Sequence, residues 1–262
     1  MAALLVLAVV GVAVIAAPWL APADPMAVRL EAALLPSDIG RWAGTDMFGR
    51  DVWSRTLYGG RLTLGMAALA SLVALVPGVA LGMVAGYTGG MLDAVISRAV
   101  DAVLAIPYLL WAMVILAVVG SGPGSVGLAV GLAGMPIVIR VIRSSVISVR
   151  SREFVQTARA VGCTECRILL RHVVPNIGGT IIVMATLQMG WAMLNVSALN
   201  FLGLGVPPGV PEWGALLNEG RAYIRQAPWI AAAPGVALTA TIMSLNLLGD
   251  HLRDALDPYS WI

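Results

Sequence analysis

The chain has 262 residues, 59% hydrophobic and 11% charged, with a net charge of +2 and a mean hydropathy of +0.89. Soluble globular domains carry about 25% charged residues, so this is an integral membrane protein, and continuous apolar runs of about 20 residues exclude an alternating-strand barrel. All 16 basic residues are arginine; with no lysine there is no Walker A lysine and no Schiff base, so any ATP-driven work needs its nucleotide on another chain.

The first element is predicted over residues 2–20, long enough to cross a hydrocarbon core of ~30 Å at ~1.5 Å per residue. A cleaved signal peptide is the competing reading, because Ala21-Pro22-Ala23 is loosely A-x-A-like. However, no basic region precedes the run, and it exceeds the usual apolar length of about 7–15 residues. Residues 21–62 are mixed in charge and contain G-T-D-M-F-G-R-D-V-W-S-R, from Gly44 to Arg55. Gly44 and Gly49 permit tight backbone, and Asp46 and Asp51 are placed to cap a helix or to pair with Arg50 and Arg55. A catalytic aspartate pair is the alternative, although no nucleophile or metal set accompanies it. The second span is predicted at 64–87. A short connection follows, in which Arg98 stands three residues before Asp101, a spacing for pairing on one helix face. The third and fourth spans fall at 105–120 and 125–142, joined by a glycine-rich turn at 120–124.

The stretch 150–176 is polar amid apolar neighbours. Phe154, Ala158 and Val161 recur at helical spacing with Val155 alongside, while Arg152, Glu153, Gln156 and Arg159 lie toward the other side. Ser151 reads as the N-cap, Gly162 as the stop, and a second short helix runs from Thr164 to just before Pro175. A short amphipathic helix between membrane helices is a docking surface. Cys163 and Cys166 form a lone C-x-x-C. It reads as two reduced thiols in a turn, against a redox pair or half a metal site with His172 as the nearby candidate ligand. The fifth span, 177–200, contains Gln188, Asn195 and Asn200, amides that either glue helices together or line a path. Glycines and prolines break the chain after Phe201, and Trp213 suits a membrane interface. The sixth span is predicted at 229–249. Asp250, His251, Arg253 and Asp254 mark the return to water, with His251 read as part of a solvated end rather than a metal ligand.

Several of these stretches resemble the permease subunits of ABC importers for dipeptides, oligopeptides and nickel. Gln156-Thr157-Ala158, then Gly162, Ile168 and Pro175, is similar to that family's cytoplasmic loop, Glu-Ala-Ala followed three residues later by Gly. The family's Glu is Gln156 here, which keeps size and hydrogen bonding but loses the charge. The string from Gly44 to Arg61, the stretch from Phe201 to Gly214, and the tail from Leu245 to Pro258 resemble family segments in the same order.

The resemblance implies an all-α polytopic membrane protein of type I ABC importer fold, with about six transmembrane helices and a cytoplasmic coupling helix. Residues 1–20 would be the first helix, 21–62 an external segment, and 63–262 the permease core. The implied motif residues are Gly44, Thr45, Asp46, Gly49, Arg50, Asp51 and Arg55. The implied ATPase-coupling loop comprises Glu153, Phe154, Val155, Gln156, Thr157, Ala158, Arg159, Gly162 and Pro175. The implied function is to form half of a transmembrane pathway for short peptides, with nickel or a metal chelate as the alternative cargo, in a bacterial inner membrane. Implied partners are a homologous second permease, two ATPase subunits holding ATP and magnesium, an external substrate-binding protein and membrane lipid. No catalytic residue, metal, cofactor or nucleic acid is expected on this chain. Arginine density favours the cytoplasm for the 150–176 loop, but residues 21–62 carry several arginines themselves, and it is the resemblance that implies cytoplasmic termini and an external 21–62. A self-sufficient secondary transporter or channel is the alternative from another class. Such proteins place ionisable groups at midplane, and spans one, two, three and five carry none there. H-E-x-x-H and G-x-S-x-G are both missing from the sequence, which argues against an intramembrane enzyme.

Overall fold

The computed structural model describes residues 1–256, so Pro258 of the tail motif lies outside the described residues. Helices α1 (Ala2–Ile15) and α2 (Ala17–Leu20) follow one another with a break at Ala16, where Pro18 enters the first turn of α2. An irregular segment with a single 3-10 turn leads to α3 (Val52–Thr88). Among the described residues the only β-pairing is two isolated bridges, Asp38–Arg41 and Thr45–Asp51. The Asp51 carboxylate accepts the Ser54 N–H at 2.7 Å and caps α3, satisfying an N–H with no partner inside the helix. Capped there, α3 starts well before the predicted 64 and runs for 37 residues, about 55 Å at ~1.5 Å per residue.

Gly89 and Gly90, both at positive φ, turn the chain from α3 into α4 (Gly90–Leu104), which meets α5 (Tyr108–Val119) at a 93° bend. Pro107 stands at the break, where it has no N–H to continue a helical ladder. α5 alone is 12 residues, about 18 Å, too short for a core of ~30 Å. The third span is therefore a broken pair and not one helix at 105–120. The expected Arg98–Asp101 pair does not form. Helix α6 (Pro123–Arg150) supplies both partners instead: Arg140 pairs with Asp101 at 2.6 Å, and Arg143 pairs with Asp93.

After α6 come α7 (Glu153–Ala160), α8 (Glu165–Ile168), a π-helical turn (Leu169–Val173) and α9 (Val174–Phe201). The second short helix does not end before Pro175 as expected. It widens into the π turn and continues, with Pro175 in the first turn of α9. A proline there lacks the N–H an α-helix would need, and a π turn is where such a ladder is locally rearranged. Helices α10 (Trp213–Arg221) and α11 (Trp229–Leu256) complete the described chain. α3, α6, the run from Glu165 to Phe201, and α11 are long and apolar enough to cross a membrane, and α4 with α5 makes a fifth as a broken span. α1 is apolar and 14 residues long. Four full helices and one broken pair thus account for up to five of the expected six spans, and α1, at 14 residues, is short by itself.

The core is built on α3 against α6. Ala67, Ala70, Ala74, Gly78, Gly82 and Gly86 fall on one buried stripe of α3. A Cβ on Gly82 would sit 2.8 Å from the Ile139 carbonyl, and one on Gly86 would sit 2.7 Å from that of Arg143. α6 answers with Gly127 and Gly131, which receive Leu69 and Val73. Small residues spaced by four let two membrane helices approach backbone to backbone. Two of the three amides expected in the fifth span bond within their own segment, while Gln188 is buried with no partner for its Nε2 among the described residues. Asn195 donates to Trp191 O, and Asn200 donates to Val196 O and accepts the Val206 N–H, tying the helix to the loop behind it.

Trp213 is not at an interface; it is buried, and its Nε1 donates to Thr56 O at 2.8 Å. Gly59 and Gly60 of α3 leave the space its ring fills. Beside it, Glu212 is fully buried and caps α10 through the Ala215 N–H at 2.9 Å, while its other oxygen takes the Thr63 hydroxyl at 2.8 Å. Burial pushes the Glu212 carboxyl from its usual 4.5 up to about 7, because the charged form loses its hydration.

Two outcomes follow from this packing. Gly82→Leu overpacks the α3–α6 contact and lowers stability by about 1–3 kcal/mol, read as a lower melting temperature in detergent. Gly65→Ala on the same helix, where a Cβ meets nothing within 4 Å, does not lower it. Because the folded state holds the Glu212 proton more tightly than the unfolded chain, stability falls as pH rises from about 4.5 to about 7. Melting temperatures at pH 5 and pH 8 should show this slope in the wild type and a shallower one in Glu212→Gln.

Candidate functional site

The polar loop is a short helix pinned on one face and bare on the other. α7 does not take Ser151 as its cap; Arg152 occupies that position with no side-chain cap, and the Ser151 hydroxyl donates to Ser148 O at 2.9 Å, finishing α6 instead. Gly162, at φ +85°, ends the helix, a left-handed position that suits glycine. Val155 and Ala158 are the buried residues, packed with Val149, Ile168 and Ile177. The expected apolar face is thus divided. Phe154 remains 39% exposed and Val161 73% exposed, because two small positions three apart suffice to seat so short a helix. Glu153, Gln156, Thr157 and Arg159 are exposed with them. Cys163 is half-buried and Cys166 exposed, both as free thiols.

Polar contacts fasten this helix to α8 and to the end of α6, and tie the end of α6 to α3. Arg159 grips Glu165 with two parallel bonds, Nε to Oε1 at 2.8 Å and Nη2 to Oε2 at 2.9 Å. The same carboxylate accepts the hydroxyl of Tyr87 at the end of α3. Hydrogen bonding to Glu165 holds the Arg159 guanidinium above its ordinary pKa. Arg150 donates to the carbonyls of Tyr87 at 2.7 Å and Gly86 at 3.2 Å. Gln156 donates its amide to Ser151 O at 3.3 Å, which a glutamate carboxylate could not do. A cavity of about 680 Å³ opens between α7 and the ends of α3 and α6, lined by Gly89, Arg150, Gln156 and Arg159 among others. Of the candidate loop residues, Pro175 stands apart from this cluster, at the start of α9.

The second constellation is a buried knot of charge. Gly44 and Gly49 have φ of +67° and +71°; a Cβ on Gly44 would press on Leu35 O and the Trp229 ring, and one on Gly49 would overlap Arg29 O. Thr45 accepts the Leu35 N–H through its hydroxyl at 2.9 Å. Asp46 takes Arg50 Nε and Arg55 Nη1, each at 2.6 Å, and also accepts the Phe48 and Arg50 N–H groups. Both guanidiniums reach on to Glu219 of α10, at 3.0 and 3.1 Å, and Arg55 also donates to Gly209 O. Two arginines and two carboxylates therefore close on one another. Asp46 is saturated within the knot, and Asp51 caps α3 through one oxygen while its Oδ1 is buried without a partner among the described residues; both are tied into the structure of the α3 start. Sequence reasoning missed Glu219. Its signal is weak: it lies seven residues after Glu212, on the same face of one short helix.

This arrangement has relatives. The profile of the family described as binding-protein-dependent transport system inner membrane component matches residues 78–260. The dipeptide transport system permease protein DppC of Alkalihalophilus pseudofirmus is 44% identical over 217 residues, 83% of this chain and 71% of that protein. The nickel transport system permease protein NikC of Escherichia coli is 37% identical over 257 residues, 98% of this chain and 93% of that one. A chain of the MetNI methionine ABC transporter in an inward-facing conformation superposes with a TM-score of 0.64, at 16% identity, over 77% of this chain and 96% of that chain. With a profile matching more than half its length and a relative of this similarity, the chain belongs to the family of binding-protein-dependent transport system inner membrane components, the permease subunits of ABC importers.

Proposed function

We propose that this permease forms half of the pathway of an ABC importer for short peptides, and that α7 is the helix through which an ATPase subunit drives it. The observation that carries the coupling role is the bare side of α7. Phe154 and Val161 are apolar and exposed at the two ends of a helix that Val155 and Ala158 pack down, which is what a partner-binding surface requires. In this reading a homologous second permease completes the pathway, and two ATPase subunits bind ATP and magnesium and dock on the 150–176 loops. A substrate-binding protein delivers cargo to the outer face. Both termini are cytoplasmic and 21–62 is external, with the Gly44–Asp46–Gly49–Arg50–Asp51–Arg55 knot bracing the outer end of α3. Closure of the ATPases moves α7, and alternating access follows as a rigid-body change.

Peptide cargo is supported by two relatives, the dipeptide permease at 44% identity and a di/tripeptide permease of Pseudomonas aeruginosa, 38% identical over 92% of this chain. Nickel is the second reading, because the nickel permease aligns over nearly the whole chain.

Replacing Phe154 and Val161 together by Asp should reduce ATPase subunit co-purifying with the tagged permease about tenfold, a loss of about 1.4 kcal/mol of binding. Melting temperature should stay near wild type, since both side chains are exposed. Retention at the wild-type level would remove the docking role from α7. For cargo, the assembled importer in proteoliposomes should accumulate labelled dialanine when ATP is supplied and leave nickel chloride outside; the opposite pattern selects the nickel reading.

A further inference from the structure

Coupling needs more than a docking surface, because a force on α7 must reach the membrane helices. α7 is eight residues long and joined to α6 by a bend at Ser151 and to α8 by a turn at Gly162. Its inward contact is two small side chains, Val155 and Ala158. Neither feature connects it directly to α3, the longest strut in the fold. The polar contacts do. Arg159 of α7 holds Glu165 of α8 in a bidentate pair, and the same carboxylate receives the hydroxyl of Tyr87, one residue from the end of α3. The Glu165 carbonyl also lies 3.2 Å from that hydroxyl. Bidentate guanidinium–carboxylate pairs fix orientation as well as distance.

We propose that Glu165 is a positioning residue for coupling, the joint through which Arg159 of the docking helix and Tyr87 of α3 move together. The proposal rests on the docking role assigned to α7. Glu165 itself touches neither cargo nor nucleotide; it acts through the two side chains it binds. Among the described residues its carboxylate accepts from both side chains, Arg159 of α7 and Tyr87 of α3, so removing its charge loosens α7 from α3 while Val155 and Ala158 keep α7 seated. Arg150, which donates to the Tyr87 and Gly86 carbonyls, holds the α3 end against α6 and does not reach α7 by any of these bonds. That separates the two arginines: Arg150 secures the anchor, and Arg159 transmits.

The test uses the assembled importer in lipid nanodiscs, with the permease carrying Cys163→Ser and Cys166→Ser and spin labels at Thr88→Cys and Ala160→Cys. Distances between the labels are measured without nucleotide and after trapping with ATP and vanadate. In the otherwise wild-type chain one narrow distribution is expected in both states. Glu165→Gln and, separately, Tyr87→Phe should broaden it about twofold and let it shift on trapping, as expected when a rigid unit becomes two bodies about a hinge. The exchange Arg159→Glu with Glu165→Arg should restore the narrow distribution, a rescue that a simple packing role would not give. Distributions for Glu165→Gln and Tyr87→Phe that match the wild type in both states would overturn the joint. Loss of the ATPase from Glu165→Gln alone would also overturn it, by making Glu165 part of the docking face. If no ATPase joins even the wild-type permease, the docking reading fails, and the nucleotide-free distances still decide whether Glu165 links α7 to α3.

Discussion

The backbone approach of α3 and α6 is the constraint on which the other contacts depend. In a bilayer, lipid tails are as apolar as leucine, so burying apolar side chains between helices gains little by itself; close packing has to supply the attraction. Here it comes from glycines placed on both partners, Gly78, Gly82 and Gly86 on α3 and Gly127 and Gly131 on α6. Valine and isoleucine ridges from one helix enter the spaces left by the other. Because interiors packed in this way resist small shifts, α3 and α6 behave as one body. The ends of that body then carry the two polar clusters.

Those clusters differ in kind. At the start of α3, Asp46, Arg50 and Arg55 are almost wholly buried, and Glu219 is mostly so. Burying ions is costly, and the cost is offset only where geometry and hydrogen bonding are complete. The knot meets that condition at Asp46, saturated by two guanidiniums and two backbone N–H groups, and misses it at Arg55, whose buried Nε has no partner among the described residues. It is rigid, and it fastens α10 and the loop before it to α3. At the other end, Arg159 and Glu165 are about half exposed. Exposed pairs contribute little to stability, so this contact fixes orientation more than it holds the fold together. One end of the strut is clamped by buried charge, and the other is joined to the docking helix by an oriented surface pair.

What the sequence made legible was local. Asp51 as a cap, Asp46 with Arg50 and Arg55, the glycine-rich turn before α6 and the stop at Gly162 all depend on residues within a few positions of each other. The family resemblance reached further, to fold class and function. Long-range choices were not legible. Arg98 and Asp101 had the right spacing to pair, yet α6 presents Arg140 and Arg143 from some forty and fifty residues away. Glu219 completes the knot from across the chain. Trp213 looked interfacial because tryptophan beside a glycine-proline break often is; the pocket left by Gly59 and Gly60 could be found only by folding α3 against α10. Helical periodicity put Phe154 and Ala158 on one face, but an eight-residue helix buries a narrow strip, and tertiary contact with Ile168 and Ile177 chose Val155 and Ala158.

The departure at Gln156 fits this division of labour. A glutamate at the head of the loop motif would bring a second carboxylate near Glu165 and could accept hydrogen bonds but not donate them. Gln156 donates to Ser151 O, which draws α7 back toward the end of α6, and leaves Arg159 a single acidic partner within α7 and α8 among the described bonds. Glu153 and Arg159 keep charge on the docking helix, and the acidic partner of Arg159 is Glu165 of α8. The helix can then present Phe154 and Val161 on a side whose nearest motif residue is neutral, while the ionic contact is kept for the connection to α3. In this chain the loop motif separates two tasks, recognition on the outward side of α7 and fastening on the side that faces α3.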